Sequence, residues 1–264
     1  MSTAFPRAAR VLIIAGSDSG GGAGIQADIK TVTMLGGHAM TAITAITAQS
    51  TIGVTAVHLV PVEIVLAQID AVAADIGVDA IKIGMLGSAA LAVALARRLA
   101  EFTPLPIIFD PVMIASSGAA LADPDTIAAF SALMDLATLV TPNLPELAAL
   151  GGSAEDLAKR HGCAILVKGG HGTGDQLADR LVRRGGPPVE WRSDRIATRH
   201  DHGTGCTLAS AIATGIGQGL SIEDAVTRGR EFVRAAMLAA PGLGAGHGPM
   251  GHGFVKCGTS AYDS

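Results

Sequence analysis

Short apolar runs in this chain stop again and again at a polar or glycine-marked position: Asp18, Gln49, Met85 with Lys82 close by, Asp110, Asn143 and Lys168. Strand endings of that kind, recurring along one chain, constrain the fold more than any other feature. In an open α/β sheet, ligands bind in the crevice outside the carboxyl ends of the strands. Several polar endings therefore imply one shared cleft. Composition agrees. Hydrophobic residues make up 49% of the 264 and aromatics only 3%, so the core is built of Ala, Val, Ile and Leu. Such side chains suit a parallel sheet covered on both faces by helices.

Residues 11–15 form a β-rich run that breaks into a glycine loop, Gly16-Ser17-Asp18-Ser19-Gly20-Gly21-Gly22-Ala23-Gly24, and helical spacing follows over 25–35. Further strands are predicted over 39–47, 57–60, 80–83, 107–109, 139–140 and 165–167, the first of these delivering Gln49 to a loop. Helices are predicted over 61–76 with Pro61 at the start, over 88–100 with Ser88 as N-cap, and over 144–150. Segments 177–184 and 189–196 read as an antiparallel hairpin broken by Gly185-Gly186-Pro187-Pro188. Helices over 205–218 and 222–239 finish the fold, while 115–120 reads as a small flexible segment. No internal repeat or long linker divides the chain. The expectation is a single domain over 1–264, with its core over about 11–240 and a flexible tail over about 241–264.

A net charge of −4 gives no electrostatic footprint for nucleic acid. Cys163, Cys206 and Cys257 are scattered without metal-ligand spacing, which fits a reducing cytoplasm rather than a disulfide framework. Residues 11–15 are too short for a signal segment, and no stretch approaches the roughly 20 apolar residues of a membrane-spanning helix. A soluble chain is expected.

The run His202-Gly203-Thr204-Gly205-Cys206 carries the most chemistry. The first N–H groups of a helix lack intrahelical partners and carry the positive end of its dipole. Glycines there let a phosphate approach closely, so the turn is a candidate anion hole; the alternative is a glycine turn before a buried helix. Cys206 at that helix start is either a packed small residue or a thiol whose pKa the helix lowers. Asn143 and Glu146, three apart at a helix start, are either a capping pair or a holder of Mg²⁺ or its waters. Gln49 is a turn residue or a reader of a heterocycle edge. Asp28 caps or pairs locally, and His171 and His202 read as loop hydrogen-bonders. No acidic residue ends a second strand near Gln49, as dinucleotide binding requires, and none of the five lysines sits in a Walker P-loop.

Together these segments resemble the hydroxymethylpyrimidine/phosphomethylpyrimidine kinases of thiamine biosynthesis, within the ribokinase-like superfamily. The matching stretches are 15–28, 44–49, 82–86, 110–113, 141–146, 168–171 and 202–208, in the family's order. The resemblance implies an α/β fold, a three-layer αβα ribokinase-like domain with a mostly parallel central sheet, and a homodimer. It implies ATP and Mg²⁺, and phosphorylation of 4-amino-5-hydroxymethyl-2-methylpyrimidine and then of its monophosphate. It assigns Gly16, Asp28, Gln49, Met85 and Asp110 to the pyrimidine. Asn143, Lys168, Gly170 and Thr204 go to the nucleotide, and Asn143, Glu146 and Asp110 to Mg²⁺. The resemblance also makes Gly203, Thr204, Gly205 and Cys206 catalytic: Gly203, Gly205 and the nearby N–H groups would form the anion hole, and Cys206 stands where sugar-kinase relatives have an aspartate base. The chain departs from that pattern at Ser116, where many relatives have a lysine, at Asp201, where threonine is usual, and between Leu150 and Cys163, where it is shorter. Pyridoxal kinases of the same superfamily, or a silent pyrimidine-binding regulator, are the rival readings.

Overall fold

The computed structural model describes residues 8–102, 104–115, 118–171 and 174–255. β1 (Arg10–Asp18) leads into α1 (Gly24–Met34), and β2 (His38–Gln49) and β3 (Val54–Leu59) form an antiparallel ribbon ahead of α2 (Val62–Asp75). Strands and helices then alternate through β4 (Ala80–Ile83), α3 (Ala89–Leu99), β5 (Ile107–Phe109), α4 (Pro124–Met134) and β6 (Leu139–Val140). Two helices, α5 (Leu144–Ala149) and α6 (Ala154–His161), precede β7 (Ala164–Val167). The hairpin β8 (Gln176–Val182) and β9 (Val189–Asp194) comes before α7 (Thr204–Gly217) and α8 (Ile222–Leu238).

All nine strands lie in one sheet, ordered β3-β2-β1-β4-β5-β6-β7-β8-β9. The pairings from β2 through β7 are parallel, and the antiparallel ones lie at the two edges. Both faces are covered. Along β1, Leu12 and Ile14 pack with α2, α3 and α4 on one side. Val11, Ile13 and Ala15 pack with α1, α7 and α8 on the other. A strand buried twice over needs apolar residues at every position, which is why its sequence runs continuously instead of alternating.

Local chemistry places the ends. The Ser88 hydroxyl accepts the Leu91 N–H at 3.3 Å, as its N-cap position predicts. Two helices absent from the sequence reading, α4 and α6, have caps of their own: Asp123 accepts the Thr126 N–H at 2.8 Å, and Ser153 forms a reciprocal box with Asp156. β1 extends past residue 15 to Asp18 through a register shift between Ala15 and Ser17.

The expected flexible tail needs correction over 241–255. That stretch packs back on the fold: His247 N–H reaches Thr51 O at 2.9 Å, Gly251 N–H reaches Ala236 O at 2.8 Å, and His252 is buried. Of the expected flexible segment 115–120, residues 116 and 117 lie outside the described residues; to either side, Ile114 is bridged to Ala120 and Ala115 N–H is bonded to Ala119 O at 2.8 Å. Ser116 and the last nine positions, 256–264, lie outside the described residues.

Candidate active site

A cleft of about 1020 Å³ opens at the carboxyl ends of the parallel strands. Gly16, Gln49, Met85, Asp110, Asn143 and Glu146 line it, as do Lys168, Gly170, Gly203, Thr204, Gly205 and Cys206. The strand endings singled out in the sequence thus converge on one cavity. Lys82, named beside the Met85 ending, does not line it, and Asp28 is the one expected site residue that does not.

At the centre stands the α7 N-terminus. Gly203 is its N-cap, at φ +86°, with no side-chain cap. A Cβ at Gly203 would also run into the Gly22 carbonyl, so only glycine fits. Thr204 N–H bonds Asp201 O at 3.3 Å and Thr207 N–H bonds Gly203 O at 2.9 Å. Between them, the Gly205 and Cys206 N–H groups take no backbone partner among the described residues. Two donors at the positive end of a 14-residue helix are therefore left facing the cleft. A Cβ at Gly205 would stand 3.2 Å from Lys168 Nζ and 3.4 Å from Asp110 Oδ2, so a cation lies directly beside those donors.

Lys168 Nζ is 2.7 Å from Asp110 Oδ1 and 3.8 Å from Glu146 Oε2, and the Thr141 hydroxyl donates to Asp110 Oδ1 at 3.0 Å. Burial works against the Lys168 ammonium, but Asp110 and Glu146 outweigh it and raise its pKa. Burial, with Asp110 nearby, pushes the Glu146 carboxyl up to about 7 against the pull of Lys168. Asn143 and Glu146 form the capping pair. Asn143 Oδ1 accepts the Glu146 N–H and Glu146 Oε2 accepts the Asn143 N–H, each at 2.8 Å. Asn143 Oδ1 thus takes one hydrogen bond within the capping pair and keeps a second lone pair, and Asn143 lines the cleft. Glu146 Oε1 and Asp110 Oδ2 carry no hydrogen bond among the described residues.

Asp28 does not touch the cleft. It is fully buried beneath the floor, Oδ2 2.7 Å from Lys82 Nζ and Oδ1 accepting the Ser210 hydroxyl at 2.7 Å. A direct contact with the pyrimidine and a local cap are both corrected: its partners lie 54 and 182 residues away. Lys82 in turn lies under Cys206. Burial pushes the Cys206 thiol up to about 11 although Lys82 pulls the other way, which favours the packed residue over the helix-lowered thiol among its two readings. A dipole of half a charge does not offset the desolvation a thiolate meets there, even though Cys206 lines the cleft.

On the opposite wall, a Cβ at Gly16 would come within 2.8 Å of Met85 Sδ, so the two pack as one apolar surface. Gln49 shares that wall. Its side-chain amide lies 3.0 Å from His202 Nε2 and 3.1 Å from Thr47 Oγ1, and His202 Nε2 lies 3.0 Å from Asp18 Oδ2. Asp18 also accepts the N–H groups of Gly20, Gly22 and Ala23 at 2.8, 3.0 and 2.8 Å, clamping the glycine loop. Burial disfavours its carboxylate, yet His202 and those amides hold the pKa below the ordinary value. Asp201, also on the wall, accepts from His247 Nδ1 at 2.8 Å. Asp18, Thr47, His202 and Arg195 were absent from the expected site. Arg195 bonds the carbonyls of Gly170 and Gly174, each at 3.1 Å. Asp18 was signalled by its strand ending and His202 by the run it opens, where it read as a loop hydrogen-bonder; Thr47 and Arg195 carried no such signal.

The fold, with a helix start whose open N–H groups lie beside a half-buried lysine, is that of a ribokinase-like phosphotransferase. The chain belongs to the phosphomethylpyrimidine kinase family, whose profile matches residues 18–251. It is 47% identical over 256 residues to the hydroxymethylpyrimidine/phosphomethylpyrimidine kinase of Rhizobium meliloti, covering 91% of this chain and 96% of that one. It is 45% identical to the thiamine biosynthesis bifunctional protein ThiED of Geobacter sulfurreducens, and there it spans 53% of the relative's length. Among solved structures, an ADP complex of Bacillus subtilis pyridoxal kinase superposes with a TM-score of 0.85 at 30% identity, covering 93% of this chain and 98% of that one. The chain is thus a kinase of thiamine biosynthesis acting on the pyrimidine.

Proposed function

We propose that this chain transfers the terminal phosphoryl group of ATP first to the hydroxymethyl oxygen of 4-amino-5-hydroxymethyl-2-methylpyrimidine, then to the resulting monophosphate. The observation that carries it is the pair of open N–H groups at Gly205 and Cys206, beside Lys168 and across the cleft from Gln49. Phosphoryl transfer has a loose transition state, so positioning and charge neutralisation do most of the work. The N–H pair holds the transferring oxygens, Lys168 offsets their charge, and Gly16, Met85 and Gln49 hold the ring.

The residues fit Mg²⁺ as a partly hydrated ion. Glu146 and Asp110 each keep one unspent carboxylate oxygen on the cleft, and among the described residues no cluster of acidic, His or Cys side chains forms a closed cage. When bound, Mg²⁺ neutralises charge on the phosphates. A thiol near 11 is protonated at neutral pH, so Cys206 does not stand ready as a base. The acceptor hydroxyl therefore gives up its proton late, to an oxygen of the transferred phosphoryl group, as metaphosphate-like character develops. In the second step the acceptor is already anionic and needs no base.

The reading extends to a homodimer, supported by exposed Ile46, Val57 and Leu59 at the β2–β3 edge, and to the cytoplasm, supported by the free thiols Cys163 and Cys206. No helix among the described residues is long and apolar enough to cross a membrane. A coupled ADP-release assay with the hydroxymethylpyrimidine, its monophosphate and pyridoxal, products identified by mass, tests the reading. Turnover of both pyrimidines is expected, and Gln49→Leu raises the pyrimidine KM while leaving the ATP KM unchanged. Turnover of pyridoxal alone overturns it.

A further inference from the structure

Both ends of the Gln49 amide are engaged, and proton counting settles which end faces which neighbour. Asp18 accepts three backbone N–H groups, and an ionised carboxylate only accepts. His202 Nε2, 3.0 Å from Asp18 Oδ2, must therefore carry a proton. Thr47 has a single hydroxyl proton, and it goes to the Ser17 carbonyl at 2.9 Å. With the Gln49 amino group toward His202, two donors would face each other and Thr47 would need a second proton. Turning the amide by half a revolution exchanges groups of nearly equal shape; it removes the clash of donors and the need for a second Thr47 proton, and leaves the one His202 Nε2 proton shared between Asp18 Oδ2 and Gln49, each 3.0 Å away. The carbonyl then accepts from His202, and the amino group donates to Thr47.

We propose that Asp18, His202 and Thr47 are positioning residues that lock the Gln49 amide in this one direction, so that the site selects and orients a ring edge carrying an amino donor next to a ring-nitrogen acceptor. The inference deepens the reading above and rests on it. The spare carbonyl lone pair takes the amino group on the His202 side, and the spare N–H takes the ring nitrogen on the Thr47 side. His202 directly precedes the Gly203 turn. In a 4-amino-5-hydroxymethylpyrimidine the hydroxymethyl is the amino group's ring neighbour, so an amino group on the His202 side turns that hydroxymethyl toward the open N–H pair. A reversed amide would take the ring turned over and carry the hydroxymethyl away from it.

The test compares this pyrimidine with its 4-oxo counterpart, which offers a carbonyl acceptor beside a ring N–H donor. The unaltered protein favours the 4-amino compound in kcat/KM by about 100-fold or more, because a mismatched edge leaves buried polar groups unpaired. Thr47→Val removes the acceptor while keeping the side-chain shape. It frees the amide to turn and cuts the discrimination at least about tenfold, with the ATP KM unmoved; Thr47→Ser restores it. Undiminished discrimination in Thr47→Val overturns the proposal. ¹⁵N chemical shifts of the His202 ring in the unaltered protein give a second reading: a protonated Nε2 supports the lock, and a bare one overturns it. Failure to turn over the 4-amino compound at all would instead remove the functional reading, and the ring shifts would still judge the lock.

Discussion

Lys82 Nζ stands 2.7 Å from Asp28 Oδ2, and neither side chain has any exposed surface. Burial works against the Lys82 ammonium, but Asp28 outweighs it and holds its pKa above the usual value. Asp28 on α1, Lys82 on β4 and Ser210 on α7 are thereby tied together under the cleft floor. The helix that carries the open N–H pair is thus tied to that buried charge pair through the Ser210 hydroxyl, not held by apolar packing alone.

Breaking that pair leaves one charge buried without its counter-charge. Asp28→Asn is expected to destabilise the fold by about 3–5 kcal/mol in urea unfolding. The double change Asp28→Leu with Lys82→Met recovers most of that loss, since desolvation of both ions is removed together. A double variant no more stable than Asp28→Asn would show that the pair contributes net stability of its own.

Cys206 tests which force governs a thiol at a helix start. Desolvation raises its pKa, Lys82 lowers it, and Asp28 and Asp110 raise it again, leaving about 11. In a variant with Cys163 and Cys257 replaced by serine, thiolate absorbance is expected to titrate near pH 11. A midpoint below 8 would mean that the helix dipole prevails. With so little thiolate at neutral pH, Cys206→Ala slows the first phosphorylation only about tenfold and the second hardly at all. Equal slowing of both steps would remove that division.

Gly203 and Gly205 sit two residues apart and respond in opposite ways to alanine. Gly203→Ala forces a Cβ into a positive-φ turn and against the Gly22 carbonyl, so a clear drop in Tm is expected. Gly205 lies inside α7, where alanine gains up to about 1 kcal/mol of helix propensity. Its Cβ would sit 3.2 Å from Lys168 Nζ, in the space beside the open donors. Gly205→Ala is therefore expected to keep or raise Tm while weakening nucleotide binding at least tenfold by calorimetry. Unchanged nucleotide affinity would move the anion site elsewhere.

Strands 80–83, 107–109 and 139–140 coincide with their apolar runs, because burial on both faces leaves no other composition open to them. α4 was missed although Asp123 and Pro124 spell a helix start, since its Ala- and Ser-rich stretch shows little periodic contrast. α6 is short and mostly polar. Within the site, what was legible lay in local runs such as Gly203 to Cys206. What was hidden is held by long-range pairs: His202 meets Asp18 across 184 positions, and Lys82 meets Asp28 across 54. Residue spacing along the chain carries no trace of such contacts. Nor does a helix-start motif reveal the desolvation its cysteine meets, which is why the sequence left the two readings of Cys206 open.

His252 gives the fold a dependence on pH that can be read separately from the active site. It is 1% exposed, with Nε2 2.8 Å from the Thr207 hydroxyl and its ring tilted against Phe232. Burial, with the Lys30 charge adding, lowers its pKa from 6.5 to about 4. The unfolded chain thus binds a proton between those values that the folded chain refuses. Stability is complete above about 6.5 and is lost as pH falls toward 4, to a total of about 3 kcal/mol. In urea unfolding, the native protein should lose about 2–3 kcal/mol more than His252→Gln between pH 7 and pH 4.5, the amide retaining a partner for Thr207. Identical losses in the two proteins would mean that the ring reaches water and that the 241–255 segment does not seal the α7 start.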